Sequence, residues 1–511
     1  MKRTFIKIII FIQAINLIAQ NPLLPPTAFI PDGEPDVFEY KGEKRLFIYG
    51  SRDERVTAFC GYGHDVWSAP INDLTQWTNH GEIFNVKQVQ EIGYGKVNEQ
   101  HFGAPDCVYN PVLKKYFLYT FLGKPYKLDG KAGPDINNHT TVKGYDDFGP
   151  KCVMSVSDSP AGPFGDPVMC DWPAVNNNGT FDPSVLVIPQ DDGDVRVFAF
   201  WGMRKGDCWA ELDPNDMHTI IDSKTRKPDR NAWHRTLNNP KLNGYRTLFE
   251  ASSIKQVSKD KFVFICSANE FVSALTYFYS NSPEGPWKYG GVIVENSTGW
   301  NGGNNHGSIV QVGEQWYVVY HRKTCNDFNR QAMIEPIDLK IVGDTVIIPQ
   351  VEMTSQGIHK DGLEPLHKYY AGTISNLTKG VYIAGDRREA DGLNPVVISG
   401  ESPMIGWKYF NFDKLSSKNK AKLKINLKLK QNNCSIKVYV SSPDKVNDKS
   451  NYTFINQVNI KNKNNDKFYD IIIPMNKLDK LGINGKQALF LSFESENEKE
   501  ICELKTIEFL N

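Results

Sequence analysis

The chain has 511 residues, 40 % hydrophobic, 23 % charged and 12 % aromatic. That leaves room for two to four domains at roughly 100–200 residues each, with no need of disulfide staples. The 59 basic and 59 acidic residues cancel, which excludes a nucleic-acid binder working through a global basic field.

Residues 1–20 begin with Lys2, Arg3 and Lys7, continue through an apolar run from Ile8 to Ile18, and reach a small residue at Ala19. This is the order of a secretory signal peptide. The run is too short to span a bilayer core of about 30 Å, and no later stretch reads as transmembrane. The expectation is an exported protein, periplasmic or secreted. Nine cysteines cannot all pair internally, and none has a CxxC or Cys/His metal spacing. Most read as small buried hydrophobes, with one or two disulfides left open by the exported setting.

Five segments then repeat one pattern: a polar or ionisable residue, an apolar strand, a turn, and a second strand rich in aromatics. They start at Pro31, Ala104, Phe181, Phe249 and Asn305, and their leading residues are Asp32, Asp106, Asp182, Glu250 and His306. Lys41-Gly42, Asp192-Gly193 and Val312-Gly313 are hairpin signals between the paired strands. A second repeat lies between the hairpins. Ser157-Asp158-Ser159-Pro160-Ala161-Gly162-Pro163-Phe164 returns as Ser280-Asn281-Ser282-Pro283-Glu284-Gly285-Pro286-Trp287, and Trp67 to Trp77 holds the same place in the first unit.

The leading residues recur at intervals of 74, 76, 68 and 56. Units of that size with about four short strands predict propeller blades, five of them over residues 21–360. The innermost strands of a propeller line its axis, so the leading residues are expected to converge on one end of the channel. Asp also caps turns before strands, which explains any one of them singly, but not an ionisable leader in all five units.

From about Pro365 the pattern changes. Residues 381–511 carry 21 basic and 16 acidic residues, which marks a boundary against the rest. Alternating strands follow at Lys422–Leu429, Ser435–Val440, Tyr452–Ile460, Lys467–Ile473, Ala488–Phe493 and Thr506–Leu510. These predict a β-sandwich, jelly-roll-like, over 365–511. Trp407 and Tyr409 are its candidate sugar platform; the alternative is a sandwich that only buttresses the propeller. The predicted fold class is all-β, a five-bladed propeller followed by a sandwich.

Paired carboxylates without a nucleophile–base motif point to glycoside hydrolysis, in which one carboxylic acid protonates the leaving oxygen and one carboxylate activates water. A third carboxylate can raise the acid's pKa by like-charge repulsion. GxSxG, P-loop and HExxH motifs are absent.

At these residues the chain resembles glycoside hydrolase family 43, a family of five-bladed, inverting enzymes acting on arabinose-, xylose- and sometimes galactose-containing polysaccharides. The resemblance covers residues 21–350. Ile30-Pro31-Asp32-Gly33-Glu34 resembles the first-blade motif and implies Asp32 as general base, with Glu34 and Asp36 as neighbouring candidates. Phe181-Asp182-Pro183-Ser184 implies Asp182 as modulator of the acid's pKa. Phe249-Glu250-Ala251-Ser252 implies Glu250 as general acid, although the usual motif continues Gly-Pro. Ala104-Pro105-Asp106 implies substrate contact at Asp106, with Gly103 where the family often has Trp. Asn305-His306-Gly307 and Tyr320-His321-Arg322 resemble the fifth blade. They imply His306 on the axis, where some members hold a metal, and Arg322 on a sugar hydroxyl or in a structural ion pair.

His64, Asp65 and Trp67 are candidates for a pocket rim, and His139 for a loop over it. Trp201 is a candidate substrate contact and, like Trp209, alternatively a core residue. No cofactor is expected, beyond a calcium ion that the central channel could hold. The expected partner is an oligo- or polysaccharide, with oligomeric state open. The reading is an exported α-L-arabinofuranosidase, with β-xylosidase and β-D-galactofuranosidase as alternatives of the same fold. A catalytically silent glycan-binding propeller is the alternative from another class. A retaining fructan-type propeller would want a mid-chain Arg-Asp-Pro, which does not occur.

Overall fold

The paired strands of the five units fold into five sheets of antiparallel neighbours in the computed structural model, each with its first strand innermost, and Val351–Glu352 adds a parallel edge to the fourth. The structure describes residues 20–54, 59–91, 101–123, 151–174, 179–204, 206–237, 248–268, 271–324, 328–384, 394–462, 467–497 and 499–511. The leader expected over residues 1–20 (all but Gln20), His139 and Cys325 lie outside them.

Blade 1 runs Glu34–Tyr40, Glu43–Tyr49, Gly63–Pro70, Thr78–Asn85, each strand pairing with the next. Blade 2 is built the same way from His101–Asn110, Lys115–Gly123, Lys151–Ser157 and Gly165–Met169. Blade 3 starts at Ser184–Pro189, blade 4 at Leu248–Ser258 and blade 5 at Ser308–Val312. Second strands are apolar on both faces because each blade stacks between two others: Leu46, Phe47, Ile48 and Tyr49 are all buried. The hairpin at Lys41-Gly42 has φ of 53° and 84°, the double left-handed turn that matches strand twist. The Ser-x-Ser-Pro-x-Gly-Pro repeats connect the third and fourth strands of blades 2 and 4, with Phe164 and Trp287 buried beneath.

The five first strands form a ring: each lies beside the next, and blade 5's lies beside blade 1's. Gly33 and Gly307 bridge across that closure. A Cβ on Gly307 would stand 1.9 Å from the Val319 carbonyl, so only glycine fits there. Blade 5 has three strands of its own, and Asn21–Leu23 completes its outer edge. Leu23 donates to the Ala332 carbonyl (2.8 Å), and the Asn21 side chain both donates to and accepts from the Ile334 backbone. Glu335 then ties entry to exit, accepting from Asn21 Nδ2 (2.8 Å) and from Thr354 N and Oγ1 (both 2.7 Å).

The second module is a pair of sheets. One orders Tyr382–Ile383, Val396–Ile398, Cys502–Leu510, Lys422–Leu429 and Tyr469–Pro474. The other orders Asn376–Leu377, Met404–Asn411, Lys486–Glu494, Asn433–Ser441 and Thr453–Lys461. Lys422–Leu429 alternates strictly, with Leu423, Ile425, Leu427 and Leu429 buried. Trp407 and Tyr409 are core residues, 0 % and 1 % exposed, which removes them as a sugar platform. The core runs continuously from Ile265 and Ile309 of the propeller to Ile405 and Leu491 of the sandwich. All eight described cysteines are buried and no disulfide joins any two of them, in keeping with the small-hydrophobe role expected of most. Among the described residues no helix is long and apolar enough to cross a membrane.

Candidate active site

Four of the five inner strands carry, just before their start or within their first four residues, a non-glycine residue with left-handed backbone. These are Asp32 (φ 57°), Ala104 (φ 46°), Asp182 (φ 46°) and Ala251 (φ 68°). Such a conformation costs an L-residue roughly 1–2 kcal/mol, least for Asp, and persists where the surroundings impose it. Here it turns the chain from the mouth of the funnel down the axis. Each of these residues stands two before a side chain of one deeper layer: Glu34, Asp106, Ser184 and Ser253, joined by Ser308 of blade 5.

The mouth gathers Asp32, Asp182, Glu250 and His306, all buried. His306 Nδ1 lies 3.8 Å from both Asp32 Oδ1 and Asp182 Oδ2. Asp182 Oδ2 accepts from the Ala251 amide at 2.7 Å, so the third blade's acid is pinned beside the fourth's. The mouth also holds residues the sequence did not single out. Arg330, at the start of a blade-5 strand, donates to Asp32 Oδ1 (2.8 Å) and Oδ2 (3.2 Å). It also grips Asp53 through Nε and Nη2, both at 2.9 Å. Its Nη1 reaches Asn304 Oδ1 at 2.9 Å, and Asn304 Nδ2 donates to Glu250 Oε1 at 2.9 Å. One amide thus links the group holding Asp32 to Glu250. His321 accepts from the Asp32 amide at Nδ1 (3.2 Å) and donates from Nε2 to the Asn304 carbonyl.

The electrostatics separate these acids. Burial pushes Asp32 up, but the Arg330 guanidinium overcomes it and holds the carboxyl well below the usual range. Burial, then the Asp32 charge, push Glu250 up to about 7. Burial, then Glu250 and Asp32, push Asp182 well above its ordinary value. Asp182 and Glu250 therefore hold a proton between them near neutrality, while Asp32 is ionised. Burial pushes His306 down to about 4, leaving it neutral.

Asp106 does not join this group. The strand pairing between His101–Asn110 and its neighbour shifts register between Gly103 and Asp106, so the residue at the mouth is Ala104. Asp106 lies one layer deeper, accepting from Ser184 Oγ (3.0 Å) and the Val185 amide (2.7 Å). Its expected substrate contact is not seen in this placement. Glu34 and Asp36 also lie below the mouth, around Lys255. The space a side chain at Gly103 would take is filled: its Cβ would stand 2.3 Å from the Phe121 ring, which stacks on Phe181 at 4.4 Å.

Arg322 is also elsewhere. It is fully buried over the Trp300 ring, and its guanidinium donates to the Gly372 and Ile374 carbonyls of the second module. Among the described residues it is neither at the acids nor in an ion pair. Trp201 is 1 % exposed, donates to the Pro173 carbonyl and stacks on Trp172, so it is core. Trp209 is likewise buried. His64 is buried between blades 1 and 2 on Thr120 Oγ1 (2.8 Å), not on a rim. Asp65 pairs with Arg52 at 2.6 Å, and Trp67 is half-buried.

A calcium ion in the channel does not fit these residues. Arg330 already neutralises Asp32, Lys255 sits among the deeper carboxylates, and among the described residues no three His, Cys, Asp or Glu are grouped to hold a metal.

Residues 27–343 match the sequence profile of glycosyl hydrolases family 43. The chain belongs to that family. It is 32 % identical over 394 residues to a xylosidase/arabinosidase of Thermoclostridium stercorarium, covering 70 % of this chain and 72 % of that one. It is 26 % identical over 218 residues to an arabinoxylan arabinofuranohydrolase of Paenibacillus polymyxa, covering 36 % and 32 %. Among solved structures, a family 43 arabinoxylan arabinofuranohydrolase from Bacillus subtilis in complex with cellotetraose aligns over 96 % of this chain and 97 % of its own. Its TM-score is 0.47 at 18 % identity. The family 43 protein is a glycoside hydrolase on an all-β, propeller-type fold.

Proposed function

We propose that this hydrolase inverts configuration at a terminal sugar, with Glu250 as general acid and Asp32 as general base. Asp32, ionised under the Arg330 guanidinium, takes a proton from a water that attacks the anomeric carbon. Glu250, still protonated near neutrality, gives its proton to the departing glycosidic oxygen. Asp182 keeps that proton on the Asp182–Glu250 pair through like-charge repulsion. His306, neutral between Asp32 and Asp182, forms the floor. The observation that carries this reading is the unequal environment of Asp32 and Glu250, two acids in one funnel held at opposite ends of the carboxylate range.

The sugar we propose is α-L-arabinofuranose on a plant-type polysaccharide, supported by the names of both relatives; β-D-xylose is the second reading, from the first relative's double name. A polymeric substrate is met outside the cell, in keeping with the export expected from residues 1–20. The test is a panel of p-nitrophenyl α-L-arabinofuranoside, β-D-xyloside and β-D-galactofuranoside, with Glu250→Gln as control. Nitrophenol released from the arabinofuranoside and lost in the control supports the reading. Release from the xyloside alone replaces the sugar. Silence on all three, and on arabinan, xylan and galactan, refutes it.

A further inference from the structure

Below the catalytic mouth the channel holds a second, partly buried charge cluster that the hydrolytic chemistry does not use. Lys255 descends from the inner strand of blade 4. Its Nζ donates to the Pro35 carbonyl (3.2 Å) and Asp36 Oδ2 (3.1 Å), and lies 3.6 Å from Glu34 Oε2. Glu34 Oε2 accepts from Ser253 Oγ (3.2 Å), which is 2.6 Å from Ser308 Oγ. Asp106 closes the far side on Ser184. All five blades thus contribute a carboxylate or hydroxyl oxygen to this layer, with a backbone carbonyl beside them. Oxygens of this kind suit a hard cation, and here an ammonium stands among them.

We propose that Lys255 is the resident cation of the central channel, a covalently tethered substitute for a bound metal ion, so that this propeller closes its axis without one. The argument is one of charge and space. Glu34 and Asp106 are buried acids on different blades and would repel each other across the axis with nothing between them. A positive charge there relieves that repulsion. A second cation beside Lys255 would face like-charge repulsion. The positions of Asp36 and the Pro35 carbonyl, consecutive on blade 1, give the ammonium two partners on one strand. Glu34 gives it a third direction.

The experiment uses the full chain and reads stability, so it does not depend on which sugar is cleaved. The wild-type protein is dialysed against EDTA, assayed for bound metal by elemental analysis, and melted in EDTA and in calcium chloride. The expected result is no stoichiometric calcium and one melting temperature in both solutions. One calcium per chain surviving dialysis, or a melt that falls in EDTA and returns with calcium, overturns the proposal. Lys255→Met is melted beside Lys259→Met, whose lysine is exposed. Lys255→Met is expected to melt lower than wild type, and Lys259→Met to match it. A Lys255→Met protein as stable as wild type overturns the proposal as well, and should that variant fail to fold, the wild-type comparison decides alone.

Discussion

The mouth of the funnel and the layer beneath it are made from nearly the same parts. The deeper layer holds three acids around one cation, and the mouth holds four, Asp32, Asp53, Asp182 and Glu250, with one. In the deeper layer, Lys255 sits among Glu34, Asp36 and Asp106 and is shared by them. At the mouth, Arg330 is pulled to one side, where Asp32 and Asp53 hold its guanidinium directly, and it connects to Glu250 through Asn304. The central cation balances a cluster. The lateral cation divides one, ionising Asp32 and leaving a proton on the opposite pair. Hydrolysis by an acid and a base needs the second arrangement, because two carboxylates of equal pKa cannot take opposite roles.

The largest effect expected from breaking this contrast is in Glu250→Gln. It removes the proton donor and is expected to lower kcat/KM on a poor leaving group by roughly 10²–10⁴-fold. Arg330→Met comes next. It strands two buried carboxylates, Asp32 and Asp53, and is expected to cost about 3–5 kcal/mol of stability in a denaturant melt. In surviving enzyme it is also expected to raise the pH at which Asp32 ionises, bringing an acid limb into the rate profile.

The wild-type profile sharpens the comparison. Glu250 must be protonated, so kcat/KM is expected to fall as pH rises through about 7. Asp32 is held so low that it sets no limb in the working range. Stability carries the same sign. A carboxyl raised in the fold binds its proton more tightly there than in the unfolded chain. Its contribution is complete below the unfolded value near 4.5 and is lost as pH rises through about 7. Glu250→Gln is therefore expected to melt higher than wild type at pH 8, by of order 1–3 kcal/mol, with little gain at pH 5. The smallest effect on catalysis belongs to Arg322→Met. It cuts the guanidinium bridge to Gly372 and Ile374, and is expected to lower the melting temperature while leaving kcat and KM unchanged.

These two arginines show where the sequence was legible and where it was not. The hairpins, the repeated turns and the six sandwich strands show in sequence because period-two alternation and turn residues are local. Met404–Asn411 was missed as a strand because Ile405 to Phe410 is buried on both faces, leaving no alternation to see. Asp32, Asp182, Glu250 and His306 were found from their place in the repeat. Asp106 was out of phase because the shift in register after Gly103 moves it down one layer, and no local signal marks that shift. Arg322 and Arg330 sit on adjacent strands, one step apart in register: Arg322 faces Gln331, and Lys323 faces Arg330. Which one turns to the axis depends on the pairing of two strands around a loop, and sequence spacing does not reveal it. Arg330, Asn304 and Asp53 are functional neighbours defined only by convergence in space.

The most direct test of the division of labour between Asp32 and Glu250 is leaving-group dependence. Glu250→Gln and Asp32→Asn would each be assayed on 2,4-dinitrophenyl and alkyl glycosides of the sugar found active. A dinitrophenolate departs without a proton. The account predicts that Glu250→Gln loses little on the dinitrophenyl substrate and most of its rate on the alkyl one, while Asp32→Asn loses rate on both alike. A Glu250→Gln enzyme equally impaired on both substrates would contradict it.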